Sequence, residues 1–265
     1  MKISQRSFAA SLVKKFDVTS TSDVPASPSV ELMPRAADES ATTEPYREAV
    51  GSLMWLANTT RPDIADAVRS VARHCHDPGV SHWKAVRKIL SYIAGTVDLG
   101  LVYKRGSSNV LTVYADSSYA PKATDRRSVS GGLVMFCGAA IAWLSRTQRI
   151  VSLSSTEAEY IAVSDVLRET IFLRGVFQFI RPVEEIKPTK VFEDNQGAIM
   201  LAENPLSSAR SKHIDVRYHH IRTQCSDRVI EIVHVPSCEQ HGDMLTKPLG
   251  VSVFEYHREV VMGMK

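Results

Sequence analysis

Residues 98–250 predict an α/β fold, a mixed sheet flanked by helices. The first observation behind this is a run of short apolar stretches, "LGLVYKRG", "NVLTVYADS", "SVSGGLVMFCG" and "AIAWLSRTQ". Gly-rich or charged turns break the run, so it reads as an antiparallel meander. The second is a long apolar helical pattern after the meander, with short strands alternating with helices beyond it. A meander succeeded by alternation puts strands of both directions into one sheet.

Taken in order, "MKISQRSFAASLVKKF" is basic, and its short apolar stretch runs straight into Lys14 and Lys15, which makes a poor signal peptide. Residues 19–45, rich in Ser, Thr, Pro and Ala, read as a linker or crossing segment. "PYREAVGSLMWLANTT" repeats Ala49, Val50, Leu53, Met54 and Leu56 at helical spacing. "RPDIADAVRSVARHC" opens with Pro62 where a first-turn proline is tolerated. "SHWKAVRKILSYIAGT" predicts a helix capped by Ser81 and ending at Gly95. Its Lys84, Arg87 and Lys88 share one face, either solvated or able to track phosphates. After the meander come a helix over 155–180, the strand "TKVFEDN", the helix "QGAIMLAEN", a helix over 211–226, the strand "RVIEIVHVP" and a short final helix in "QHGDMLTKPL".

The chain has 265 residues, 44% of them hydrophobic, enough for a large globular core. Thirty-two basic residues against 29 acidic ones leave +3, so overall charge does not announce a nucleic-acid partner. Cys75, Cys137, Cys225 and Cys238 form no C-x-x-C pair, which suits a reducing compartment. "RHCHDPGVSH" offers His74, Cys75, His76 and His82, but their spacing fits a helix end entering a Pro-Gly turn better than a zinc site. No apolar run is long enough to span a bilayer, and the chain reads as soluble and intracellular.

Four acids stand where this layout would bring them together. Asp116 lies on the first strand of the meander proper, in "VYADSS", where an uncompensated carboxylate is costly to desolvate. Asp194 ends a strand just before a helix, a usual site position in α/β sheets. Asp243 opens the last helix. The fourth is Glu157 or Glu159 in "STEAEY". Counting helical steps from Glu159 meets Ala162, Val163, Val166, Leu167 and Ile171, whereas the same count from Glu157 meets Tyr160, Ile161, Ser164, Asp165 and Glu169. Glu159 therefore heads the sheet-facing stripe and Glu157 the wetter side. Each acid also has a structural reading: Asp243 as a helix cap, Glu157 in a favourable first turn, Asp194 in an Asx-turn. Clustered carboxylates repel one another unless a cation sits among them, and hard oxygen ligands suit Mg²⁺ or Mn²⁺.

These residues sit in blocks that resemble a known family. "YREAVGSLMWLANTTRPDIADAV", "HWKAVRKILSYIAGT", "YADSSYA", "DRRSVSG", "AWLSRTQRIVSLSSTEAEYIA", "EDNQGAI", "RSKHIDVRYHHIR" and "DMLTKPL" look, in that order, like the C-terminal part of a copia-type retrotransposon Pol polyprotein. The resemblance implies a ribonuclease H-like five-stranded mixed sheet flanked by helices, preceded by a helical remnant of the reverse transcriptase connection region. The implied division is a reverse transcriptase tail and linker at 1–44, the helical region at 45–104, the ribonuclease H-like domain at 105–250 and a tail at 251–265. It further implies cutting of the RNA strand of RNA–DNA hybrids with two Mg²⁺ ions, or Mn²⁺, about 3.5–4 Å apart. Asp116 would bridge the ions, Glu159 and Asp194 would hold the one near the leaving group, and Asp243 the other. Ser117, Asn195 and Gln196 become candidates to read the 2′-hydroxyl. The implied partners are the hybrid and the remaining reverse transcriptase and integrase parts of Pol, with no membrane. The implied location is cytoplasmic virus-like particles with access to the nucleus.

The chain departs from the family in two places. It carries no Tyr-x-Asp-Asp motif, so no DNA synthesis is expected. The loop before the last acid is short, so His241 sits two residues ahead of Asp243, either assisting protonation and product release or lying at the surface. His219 and His220 read as helix packing and solvent contacts. Two other classes stay open. One is an integrase-like nuclease of the same fold; the other is a co-opted fragment binding nucleic acid through Lys84, Arg87, Lys88, Arg210, Lys212 and Arg217.

Overall fold

The structure, a computed structural model, describes residues 1–121, 124–182, 187–203 and 215–265. In chain order the elements are β1 (Lys2–Ile3), α1 (Arg6–Lys15), α2 (Tyr46–Thr59), α3 (Ala65–Ala72), α4 (Val80–Gly95) and β2 (Leu101–Val102). Next come β3 (Thr112–Ser118), β4 (Val129–Phe136), β5 (Ala139–Thr147), α5 (Ser155–Ile180), β6 (Thr189–Glu193), α6 (Gln196–Glu203), α7 (Asp215–Ser226), β7 (Ile230–His234) and α8 (Val251–Val261). They form two compact units, one of residues 1–107 with 247–265 and one of residues 108–246. No helix among the described residues is long and apolar enough to cross a membrane.

In the first unit α2 buries Ala49, Val50, Leu53 and Leu56 as its spacing predicts, while Met54 is exposed. The predicted helix "RPDIADAVRSVARHC" opens as a 3₁₀ turn over Pro62–Ile64. Ser81 does not cap α4. The cap lies two residues earlier at Gly79, whose N–H donates to His82 Nδ1 (2.9 Å), while Ser81 N–H donates to Glu39 (2.7 Å). Glu39 lies in the expected linker, so that segment is tied to the start of α4 at this point. Arg87 donates to the Phe16 and Asp17 carbonyls at the end of α1, so this member of the basic face is already engaged, while Lys84 is exposed.

Two further expectations differ from the structure. The stretch "LGLVYKRG" shortens to β2 and pairs antiparallel with β1 (Lys2↔Val102), not with the meander, because the chain's own N-terminus supplies its partner edge. Residues 251–265 are not a separate tail. They form α8, which buries Phe254, His257 and Val261, and the Met262 carbonyl accepts the Val102 N–H (2.9 Å). This unit is locked by a buried ion pair. Arg61 donates to Asp63 through Nε (2.9 Å) and Nη2 (2.8 Å), and to Thr96 through both Nη atoms. Tyr92 donates to Asp63 (2.7 Å) and accepts from Arg258 of α8 (3.3 Å).

The second unit holds a five-stranded mixed sheet in the order β5-β4-β3-β6-β7, the α/β sheet that the resemblance implies. β3–β4 and β4–β5 run antiparallel, and β3–β6 and β6–β7 run parallel. Leu111, Val113 and Ala115 share a core with Tyr160, Val163, Val166 and Leu167 of α5, and with Val191. Two adjacent glycines allow close covering of both faces of β4. A Cβ on Gly132 would lie 2.7 Å from Val166 of α5, and one on Gly131 would lie 2.5 Å from the Thr246 methyl on the other side. Of the predicted 211–226 helix, residues 215–226 form α7, while 211–214 lie outside the described residues. The predicted last short helix is a 3₁₀ segment, His241–Leu245.

Asp63→Ala would leave the Arg61 guanidinium buried and uncompensated. Urea denaturation of the whole chain should show a stability loss of about 3–5 kcal/mol; a loss within the error of a surface substitution would contradict this network.

Candidate active site

Parallel pairing sets the site. β3 and β6 are in register at Tyr114↔Phe192, so Asp116 and Asp194, each two residues further on, lie at the same end of that pairing, Asp116 still within β3 and Asp194 just past β6. The first turns of α5 cover that end and bring in Glu159. Ligand oxygens of Asp116, Glu159 and Asp194 all lie within 4.8 Å of one another. Asp116 and Glu159 are buried and Asp194 is half-buried, so the cluster opens toward solvent on the Asp194 side. Among the described residues no other three metal-ligating side chains converge. His74 and His82 instead stack ring on ring at 4.0 Å, with the second ring nitrogen of His82 on the Met33 carbonyl.

The start of α5 explains which glutamate is brought in. Ser154 caps the helix by accepting the Glu157 N–H (3.1 Å), and the Glu157 carboxylate turns back to accept the Leu153 N–H (2.8 Å). Glu157 is therefore part of the cap, as its first-turn reading anticipates, but it does not lie on a wet side. Residues 157–167 are buried all round, including Tyr160, Ile161, Ser164 and Asp165, because the sheet and its neighbours enclose this half of the helix. Gln148 fixes the same turn from below: its amide donates to Ser130 (3.0 Å) and to the Ala158 carbonyl (2.9 Å), and it accepts from Ser152 (2.7 Å).

Asp243 is buried within the 3₁₀ segment but is not in the 4.8 Å group. It does not cap that segment, since the Gln240 side chain accepts the Gly242 N–H (3.1 Å) instead. The Gln240 amide also donates to the Ala115 (2.9 Å) and Phe192 (3.4 Å) carbonyls, which straps the segment carrying Asp243 onto β3 and β6. His241 is not at the surface. It is 5% exposed and lies edge-on to Tyr114 at 4.8 Å, while Tyr114 stacks on Phe192.

Of the proposed substrate readers, Ser117 is buried and Gln196 is exposed. The side-chain oxygen of Asn195 caps α6 by accepting the Ala198 N–H (3.0 Å), the role expected of Asp194 in an Asx-turn. His219 is exposed and His220 half-buried on α7. Arg210 and Lys212 lie outside the described residues, as does the side chain of Arg217.

One acid escaped the sequence reading. Glu193 ends β6 fully buried, and its Oε1 accepts the Asn195 N–H (3.0 Å). The signal was the alternation Thr189, Val191, Glu193, whose inward phase ends on a carboxyl rather than an aliphatic group. Burial first, then the charges of Asp116, Glu193 and Asp194, push the Glu159 carboxyl up to about 11. Glu193 is likewise raised well above the ordinary carboxylate range, by burial above all and then by Asp116 and Asp194, against the opposing Asn195 hydrogen bond. Glu159 Oε2 and Glu193 Oε2 are both buried with no hydrogen-bond partner. Two desolvated acid oxygens beside two further carboxylates form a set of hard donors that fits a divalent cation.

No family model matches the chain. It is 42% identical over 217 residues to the retrovirus-related Pol polyprotein from transposon TNT 1-94 of Nicotiana tabacum, covering 82% of this chain and 16% of that protein. It is 34% identical over 257 residues to the corresponding polyprotein from transposon RE2 of Arabidopsis thaliana, covering 96% of this chain and 18% of that protein. Over most of its length the chain is similar to retrovirus-related Pol polyproteins of transposons, and it spans less than a fifth of the length of those relatives. Among solved structures, a ribonuclease H isolated from compost matches with a TM-score of 0.39 and 16% identity, over 52% of this chain and 94% of that one.

The raised carboxyl gives a pH signature. Glu159 has an ordinary value of 4.5 and a folded value of about 11, so its contribution to stability is complete below 4.5 and is lost as pH rises toward 11. In chelator, the urea midpoint should fall between about pH 5 and pH 9, and Glu159→Gln should flatten that fall. Equal slopes in the two proteins would contradict the assignment.

Proposed function

We propose that residues 108–246 hydrolyse the RNA strand of RNA–DNA hybrids as the ribonuclease H part of a retrotransposon Pol polyprotein, with the remaining Pol segments as partners in reverse transcription. The observation that carries this reading is the convergence of Asp116, Glu159 and Asp194 at one end of the sheet, with unpartnered Glu159 and Glu193 oxygens behind them. The relatives are Pol polyproteins, and the order of elements suits the domain expected of them.

Asp116, Glu159 and Asp194 would hold Mg²⁺ or Mn²⁺, with Asp243 of the strapped segment completing the acid set. A divalent ion bound there supplies an activated water and offsets the charge that develops on the scissile phosphate. The chain's own contribution is placement. Buried Asp116 and Glu159 form the floor, and half-buried Asp194 stands at the mouth, where an anionic backbone would approach. Without a cation this cluster repels phosphate, so substrate binding and cation binding are coupled. Gln196, exposed at the first turn of α6 two residues from Asp194, would be the residue to contact a sugar hydroxyl. The setting proposed for this role is a cytoplasmic virus-like particle with access to the nucleus.

The test is a labelled RNA–DNA hybrid incubated with the purified chain, with and without Mg²⁺. Mg²⁺-dependent cutting of the RNA strand is expected, reduced by more than about 100-fold in Asp194→Asn, since losing a ligand exceeds the loss of an outer partner. Absence of cutting, or undiminished cutting by the variant, overturns the proposal. Equal cutting of double-stranded DNA would favour an integrase-like nuclease instead.

A further inference from the structure

The 3₁₀ segment that carries Asp243 runs into Thr246, a residue outside the acid cluster itself. Thr246 is 3% exposed, and its hydroxyl donates to Asp116 Oδ2 across 130 positions of sequence. The same hydroxyl lies 3.1 Å from the Asp243 carbonyl, but it has one proton, and the charged carboxylate is the stronger acceptor. We infer that Thr246 is a positioning residue for Asp116, fixing the carboxylate's rotation so that it faces Glu159 and Asp194. The inference rests on the acid cluster being a cation site.

The backbone around Thr246 is built for this contact. Gly131 is the register partner of Asp116 across the β3–β4 ladder. A Cβ there would come within 2.5 Å of the Thr246 methyl and 2.9 Å of the Gly242 carbonyl. Gly242 in turn would carry a Cβ only 2.9 Å from that of Asp116. The turn from Gly242 to Thr246 therefore lies flat on the Asp116–Gly131 pair, with no room for a side chain between them. Gln240 anchors its leading end to β3 and β6. The Thr246 methyl thus sits in the space that Gly131 leaves, and this seat aims the hydroxyl at the carboxylate. A lone aspartate has a broad terminal torsion, so a carboxylate without such a donor would sample several orientations. Pinning one oxygen before the cation arrives removes that freedom in advance, which is how an outer partner tightens a metal site.

The test uses the full chain, with Mg²⁺ and Mn²⁺ titrated calorimetrically and the melting midpoint measured in chelator. Thr246→Val keeps the methyl in its seat and removes the donor, whereas Thr246→Ser keeps the donor. T246V should bind Mg²⁺ about 10–100-fold more weakly, and T246S should bind like the unsubstituted chain even where its midpoint is lower, since its packing is the poorer of the two. Should T246V fail to fold, Thr246→Ala compared with T246S carries the same contrast. Unchanged Mg²⁺ affinity in T246V, or equal weakening in T246S, overturns the positioning role while leaving the cation site standing. An unsubstituted chain that binds neither cation overturns the cation site and, with it, this inference.

Discussion

Mutual repulsion among buried carboxylates is the constraint around which the second unit is organised. Two unit charges 4 Å apart interact by about 4 kcal/mol at an effective dielectric of 20, and Asp116, Glu159 and Asp194 hold oxygens within 4.8 Å, with Glu193 buried behind them. No favourable contact among the acids themselves draws them together. The covalent chain and the apolar core must impose the arrangement, and the Glu159 carboxyl is raised by burial first and by its acidic neighbours second. A cation relieves what the fold enforces, so the strain and the proposed chemistry share one cause.

Three devices do the enforcing. Parallel pairing of β3 with β6 delivers two aspartates to one end of the sheet. The Gly131–Gly132 pair lets α5 and the segment ending at Thr246 approach β4 from opposite sides. Two buried glutamines, Gln148 under the start of α5 and Gln240 under the 3₁₀ segment, tie those covering pieces to strand backbone and side chains. Each glutamine directs its polar atoms to groups that burial would otherwise leave unsatisfied, which is the usual requirement for a polar side chain in a core.

Most strands and helices were legible because their patterns are local. The meander, α5 and the strand before Asp194 come from two-residue and helical periodicities, and so does the inward face through Leu111, Val113 and Ala115. Periodicity also singled out Glu159 over Glu157, although the assumed contrast between a wet and a dry side was too simple. What separates the two glutamates is that Glu157 closes a cap on Leu153. Other features depended on partners distant in sequence. β2 found its edge in residues 2–3, residues 251–265 folded with the N-terminal unit, and His241 went inward against Tyr114. None of those partners is announced by the residues themselves.

The sequence by itself pointed to most element types, to the family resemblance and to four acids, of which Asp116, Glu159 and Asp194 converge, because strand and helix patterns and ordered motifs are written in neighbouring residues. Only the tertiary structure decided the orientation of those acids, the presence of Glu193 among them and the contact of Thr246 with Asp116. The reason is that desolvation and hydrogen-bond geometry arise only when segments 130 positions apart are packed against each other.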